Sequence, residues 1–367
     1  MIISFIFNLY RNQNLNILDN LLGLFNWIPL FYCFWGFQFY LNTFKKRQDC
    51  VKLYLIGSIP LLIGGLLQYF FGIYGPFRFF NNLFIWFQKP LCFENLQGEC
   101  STGVTSVFSH PNYYASWLLI IFPFILSYLV LYFNKKNIRK IYSISYSFLV
   151  TFSLIITASR NALLGLFISS YLSFINTKTK TFEILRKCLL TFLIVSIFYI
   201  FFIDKASYFQ FLPPHLITKL DNQITDLMTF TRTKIFIESI NSIFMNPFLG
   251  NGIPVELPFL KVASITHSHN IFLEVSLIYG LIPSFFMFTN ILILFFQSFR
   301  NFFIGKGKIK LNSYFFDRSW CIAFMVIFIA NMFDITYYDI KISISFWILL
   351  SGLKCILDKN NEKILSN

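Results

Sequence analysis

The feature that most limits what this chain can fold into is its series of apolar runs, most of them about 17 to 25 residues long, the length a helix needs to cross a bilayer. They fall near 22–42, 52–73, 113–133, 141–158, 161–175, 188–204, 270–299, 316–333 and 342–357. Charged residues make up only 13% of the chain against 56% hydrophobic, with a mean hydropathy of +0.63. A soluble domain carries roughly twice that share of charge, about 25%. The pattern predicts one all-α polytopic membrane domain over 1–367, a bundle of about nine to eleven transmembrane helices. Residues 1–10 are apolar but too short to span and lack the basic region of a secretory signal, so they read as a short tilted or interfacial helix, or the remnant of a longer one.

The net charge of +14 suggests nucleic acid only if the basic residues form a patch on a soluble face. Here they sit in connectors between apolar runs: Lys45, Lys46 and Arg47; Lys135, Lys136, Arg139 and Lys140; Lys178, Lys180, Arg186 and Lys187; Arg300, Lys306, Lys308 and Lys310. Alternating the segments places all of these on one side, together with Lys354, Lys359 and Lys363. The positive-inside rule makes that side cytoplasmic. Two long loops, about 74–112 and 205–269, then face outward. Cys92 and Cys100 share the first of them, where an oxidising exterior permits a disulfide. No Cys-rich or carboxylate-rich spacing resembles a structural metal site.

Polar groups gather on the outward side. All four histidines, His110, His215, His267 and His269, map to the outward loops or their membrane junctions. His215, beside Pro213-Pro214, reads as an ordinary loop residue. His267 and His269 adjoin Asn270 and Glu274 at the lip of a spanning segment, where polar side chains are costly and indicate a site. On a helix starting near His269, Asn270 and Glu274 share a face, and a neutral imidazole there accepts a proton at neutral pH. Arg160 follows Ser159 in the short outer corner between two apolar segments. It reads either as a snorkelling interface residue or as a planar bidentate partner for phosphate. Arg232 opens an amphipathic stretch that ends in Asn246-Pro247-Phe248-Leu249-Gly250-Asn251-Gly252. Packing alone would account for that helix, but two outward arginines also suit an anionic lipid-linked substrate whose pyrophosphate departs.

Ser159-Arg160, Arg232 with the Asn-Pro-x-x-Gly-x-Gly turn, and His269-Asn270 with Gly280 occur here in the order and topology that resemble the O-antigen ligase and polymerase superfamily of bacterial envelope glycosyltransferases. The resemblance covers about 75–282 and takes in Gly103 to Trp117, a segment that resembles the family's Pro-Asn stretch and would set Asn112 at the outer face. Two positions depart from the family pattern: His110 stands where an Asn usually precedes that pair, and Pro283 follows Gly280. The resemblance implies metal-independent, cofactor-free, inverting transfer of a glycan from a polyprenyl diphosphate donor to a sugar hydroxyl on a lipid-linked or glycan acceptor. It implies a multi-pass protein of the bacterial inner membrane, in contact with membrane lipids, with its site on the periplasmic face and no nucleic acid partner. Arg160 and Arg232 would bind the departing pyrophosphate and His269 would orient or deprotonate the acceptor. Glu274 would hold the His or the acceptor, with His267, Asn270, Asn112 and Ser159 as further substrate-binding candidates.

A repeat-unit polymerase uses the same donor and arginines and is the nearest alternative. A small-anion transporter of bicarbonate type is an alternative from another class. Such a transporter carries polar residues through the bilayer midplane, whereas these segments are apolar in their middles.

Overall fold

The computed structural model describes residues 1–11, 17–79 apart from 74 and 76, 84–86, 103–133, 138–175, 181–191 apart from 182 and 189, 231–253, 267–304 and 311–365. Its helices are α1 (Ile2–Arg11), α2 (Ile17–Phe25), α3 (Ile28–Leu41), α4 (Phe44–Phe71), α5 (Pro111–Tyr132), α6 (Ile138–Ile156), α7 (Arg160–Phe174), α8 (Thr231–Met245), α9 (Ile271–Tyr279), α10 (Leu281–Phe299), α11 (Leu311–Phe333) and α12 (Ile340–Leu365). A π-helical turn, Arg300–Ile304, extends α10. A small antiparallel hairpin, β1 (Phe77–Phe79) with β2 (Phe84–Trp86), lies in the first long loop. The protein is an all-α polytopic membrane protein, as the apolar runs predict.

Among the described residues, five helices are long and apolar enough to cross a membrane: Phe44–Phe71, Pro111–Tyr132, Leu281–Ile304, Tyr314–Phe333 and Ile340–Asp358. The second, fourth and fifth are mostly buried within the protein. The first and third expose most of their length, as lipid-facing helices do. The core centres on α5, which packs on α6, α7 and α11, while α12 packs on α3. Leu118, Leu119, Ile120, Ile121, Trp320, Phe324 and Leu353 are almost fully buried there.

Two of the expected spans are broken. The run 22–42 divides at Asn26-Trp27, where Trp27 turns inward and stacks on Tyr337 with ring centroids 4.2 Å apart. The run 270–299 divides at Gly280, whose φ of 92° no helix accommodates. Pro283 falls in the first turn of α10, where a missing backbone N–H costs nothing, so the break accommodates this departure from the family pattern. The expected 188–204 span lies outside the described residues beyond 191.

Arg47 corrects the picture of a basic connector. It belongs to α4 and is 1% exposed, bonding the Leu41 carbonyl at 3.1 Å and Asp317 of α11 at 3.0 Å. Arg318 beside it is also buried, donating to the carbonyls of Ile175 (2.7 Å) and Ser173 at the end of α7. The ends of α3 and α7 and the starts of α4 and α11 therefore meet at one end of the bundle. At the other end Gln68 of α4 accepts from Thr105 N and Ser106 N, and Val104 N donates to the last carbonyl of α6, Ile156. Among the described helices, these contacts put the starts of α4 and α11 at one end with the ends of α3 and α7, and the ends of α4 and α6 at the other.

Removing one partner of a buried ion pair leaves the other uncompensated, at a cost of about 3 kcal/mol or more. Asp317→Ala is expected to lower the thermal midpoint of the purified protein in detergent well below that of Asp317→Asn, which keeps an acceptor for Arg47. Equal midpoints for the two variants and the wild type would contradict this role.

Candidate active site at one end of the bundle

The segment 267–270 is shaped by the carboxylate of Glu274 one turn into α9. Its Oε2 accepts from Ser268 N at 2.8 Å, and its Oε1 faces His267 Nδ1 at 3.1 Å and accepts from Tyr338 Oη at 3.2 Å. The carboxylate is buried, so these donors replace the water it has lost. The His267 ring stacks on Tyr338 at 4.9 Å and is itself about half exposed. Burial and the neighbouring Glu274 charge push the Tyr338 phenol well above its ordinary pKa, so it remains a donor to that carboxylate. Asn270 is the N-cap of α9: its side-chain oxygen accepts from Phe272 N and Leu273 N, and its Nδ2 donates to Met332 O at 3.0 Å.

Between these anchors His269 adopts a left-handed backbone, φ 55°, which a side chain with a Cβ seldom occupies. Its Nδ1 lies 3.1 Å from Oδ1 of Asp334, the residue after α11, while Asp334 Oδ2 accepts from Asn112 Nδ2 at the start of α5. An ionised carboxylate only accepts, so Nδ1 carries the proton and the lone pair lies on Nε2. The imidazole is about one-third exposed. The turn bearing Asp334 is itself fixed, because Asn331 Oδ1 accepts from Thr336 N and Tyr337 N and Thr336 Oγ1 meets Ser116 Oγ at 3.0 Å.

His110 is the N-cap of α5, its Nδ1 accepting from Asn112 N at 3.1 Å. Burial lowers its pKa below the ordinary 6.5; Asp334 opposes that shift and His269 adds to it. Its stabilising effect is therefore full above pH 6.5 and is lost as pH falls through that value toward the depressed one in the folded protein.

Arg160 is the first residue of α7, with an exposed side chain, and Ser159 before it is buried at the N-cap position without capping through its hydroxyl. This corner sits at the same end of the bundle, since Gly103 is wedged between the Thr157 carbonyl and Pro111. A Cβ there would lie 1.7 Å from the Thr157 oxygen. Arg232 is the second residue of α8, and its side chain lies outside the described residues. So do His215 and the Cys92–Cys100 pair.

Behind α8 the glycine turn docks on the α9–α10 break. Asn251 N donates to Leu277 O (2.8 Å), Gly252 N to Ile278 O (3.1 Å) and Leu281 N to Pro247 O (2.7 Å). Side chains are excluded at this contact: a Cβ on Gly280 would lie 2.2 Å from the Phe248 carbonyl oxygen and one on Gly250 2.4 Å from that of Ile278. The amino-terminal helices brace the same place through Ser4 to Tyr279 O, Asn8 to Leu249 O, and Asn20, which pairs with both backbone groups of Ile253.

Asn270 and Glu274 do not converge on one cavity as their spacing suggested. Each is engaged within the protein, and Glu274 meets His267 while His269 meets Asp334. Sequence reasoning missed Asp334 and Tyr338. The available signal was the short connector 334–339, an outward link between two apolar segments that carries two carboxylates, Asp334 and Asp339.

Residues 145–288 match the family model described as O-antigen ligase, and this match supports the O-antigen ligase superfamily for that stretch. The matched stretch includes Ser159-Arg160, α8 with its glycine turn, and His269-Asn270 with Gly280; Asn112 and Asp334 lie outside it. No curated protein matches the chain. The match supports a function of the O-antigen ligase or polymerase type in general.

Gly280→Ala is expected to destabilise the protein by about 2 kcal/mol or more, through its positive φ and the clash with a backbone carbonyl. A thermal midpoint in detergent equal to wild type would refute the close packing. Glu274→Ala should be more damaging than Glu274→Gln, because Gln still accepts from Ser268 N. Equal surface polysaccharide from the two variants, at equal protein levels, would count against a role in shaping the 267–270 segment.

Proposed function

We propose that this protein transfers a glycan from a polyprenyl diphosphate donor to a sugar hydroxyl at the outer face of the bacterial inner membrane, in an O-antigen ligase-like reaction. The observation that carries the reading is His269, held through Nδ1 by Asp334 so that Nε2 is free to take a proton. In the reaction the acceptor hydroxyl gives its proton to His269 Nε2 and its oxygen attacks the anomeric carbon. The bond from that carbon to the diphosphate oxygen breaks, and the electron pair leaves with the diphosphate. One displacement inverts the anomeric configuration. Arg160 and Arg232 neutralise the departing diphosphate, a role suited to guanidinium groups that stay charged at any relevant pH. No metal is required in this scheme, because arginine charge performs the electrostatic work a divalent ion would otherwise do.

Asn112 supports Asp334, Glu274 with His267 fixes the loop, and the exposed half of His267 is placed to meet the acceptor. Asn270 caps the helix that follows His269, and Ser159, beside Arg160, is a further substrate-binding candidate. The repeat-unit polymerase reading shares every one of these roles and differs only in the acceptor.

Loss of a general base costs about 10²- to 10⁴-fold in rate. His269→Ala, Arg160→Ala and Arg232→Ala, each at normal protein level, are expected to abolish normal surface polysaccharide. Accumulation of finished lipid-linked polymer identifies a ligase, and accumulation of single lipid-linked repeat units identifies a polymerase. Normal polysaccharide in all three variants would overturn the proposal.

A further inference from the structure

We infer that His110 is a positioning residue for His269, acting through Asn112 and Asp334; the inference rests on the reading of His269 as the base. The contacts form one path. His110 Nδ1 accepts from the Asn112 amide at 3.1 Å, Asn112 Nδ2 donates to Asp334 Oδ2, and Asp334 Oδ1 faces His269 Nδ1 at 3.1 Å. Asn112 is thus gripped twice, by its backbone from His110 and by its side chain from the carboxylate that orients the base.

An imidazole is an unusual cap. Ser, Asn and Asp caps accept hydrogen bonds throughout the near-neutral range, but an imidazole stops accepting once Nδ1 is protonated. Protonation of His110 would set an N–H against the Asn112 N–H. It would also place a cation at the positive end of α5. Asn112 then loses its backbone anchor, and Asp334 loses the donor that holds its second oxygen.

The groups around His110 set when this happens. From the turn after α11 comes Asp334, which favours the charged ring; from the 267–270 segment comes His269, which opposes it. On α5 the Tyr113 ring lies 5.9 Å away, and at the start of α12 Asp339 and Lys341 pair with each other at 3.1 Å. Burial, the largest influence, together with His269 outweighs Asp334, so the cap stays intact at neutral pH and fails in acid. Asn at this position would be an acceptor that does not titrate.

The consequence is an acid limb governed by two protons instead of one. Spheroplasts expose the outer membrane face to buffer, and in them the transfer of radiolabelled lipid-linked glycan can be timed from pH 7.5 downward. For the wild type the rate is expected to fall about tenfold per pH unit at first and to steepen toward a hundredfold per unit. His110→Asn should match wild type at pH 7.5 and fall only about tenfold per unit throughout. Superimposable acid limbs would overturn the inference, and so would an equal loss in His110→Asn at every pH.

A second readout needs no glycan. In nanodiscs holding the full-length protein with ¹⁵N-labelled histidine, the His269 ring signals should shift in two steps on acidification and in one step in His110→Asn. A single step in both proteins contradicts the coupling. If His269→Ala proves active, the base assignment fails on that result alone, while the ring titration still decides whether His110 and His269 are linked.

Discussion

One end of the helical bundle depends on one carboxylate. Asp334 ends α11, receives Asn112 from the start of α5, and meets His269 just before α9, so three separate elements converge on its two oxygens. Near a membrane a carboxylate with lost hydration needs donors, and the folded chain supplies them from two distant stretches of sequence. The same demand helps to hold His269 in a left-handed backbone that its Cβ disfavours. The turn beneath is rigid for independent reasons: Asn331 caps it, and Tyr337 is clamped between the Trp27 ring and a bond from Trp347 Nε1 at 2.7 Å.

A second constraint links this cluster to the amphipathic helix. The contact between the Asn246–Gly252 turn and the α9–α10 break is backbone on backbone, and glycine at 250 and 280 is what allows it. The C-terminal end of α8, the helix that begins beside Arg232, is thereby tethered to the helix that His269 precedes. At the opposite end Arg47 with Asp317 and Arg318 with the α7 carbonyls fix how α3, α4, α7 and α11 meet. Both ends of the bundle thus rest on buried polar contacts, and between them apolar packing is joined by a few polar contacts such as Trp117 Nε1 to Ser58 Oγ at 2.8 Å.

What could be read from the sequence follows from what each signal depends on. Hydropathy is local, so the runs that became α4, α5, α11 and α12 were legible, as were the outward polar cluster and the Ser-Arg, glycine-turn and His-Asn motifs. Breaks at Trp27 and Gly280 were not, because an averaged run hides a single turn set by tertiary contacts. Arg47 shows the limit of charge counting: it sits in a basic cluster but is buried against an aspartate 270 residues away. Asp334 escaped notice for a similar reason. A lone aspartate after an apolar helix carries no local pattern, and its partners lie 65 and 222 residues distant. The pairing of Glu274 with His267 instead of His269 likewise turns on the left-handed residue between the two histidines.

The central claim is that Asp334 keeps the proton on His269 Nδ1 and the lone pair on Nε2. Asparagine at 334 is nearly isosteric but can turn an N–H toward Nδ1, which would reverse the tautomer and remove the proton acceptor. The most direct measurement is the rate of labelled glycan transfer by Asp334→Asn in spheroplasts at pH 7.5, beside wild type at equal protein level. The account predicts a loss of at least about a hundredfold, as expected when the residue orienting a catalytic imidazole is exchanged for its amide. A rate within twofold of wild type would contradict it.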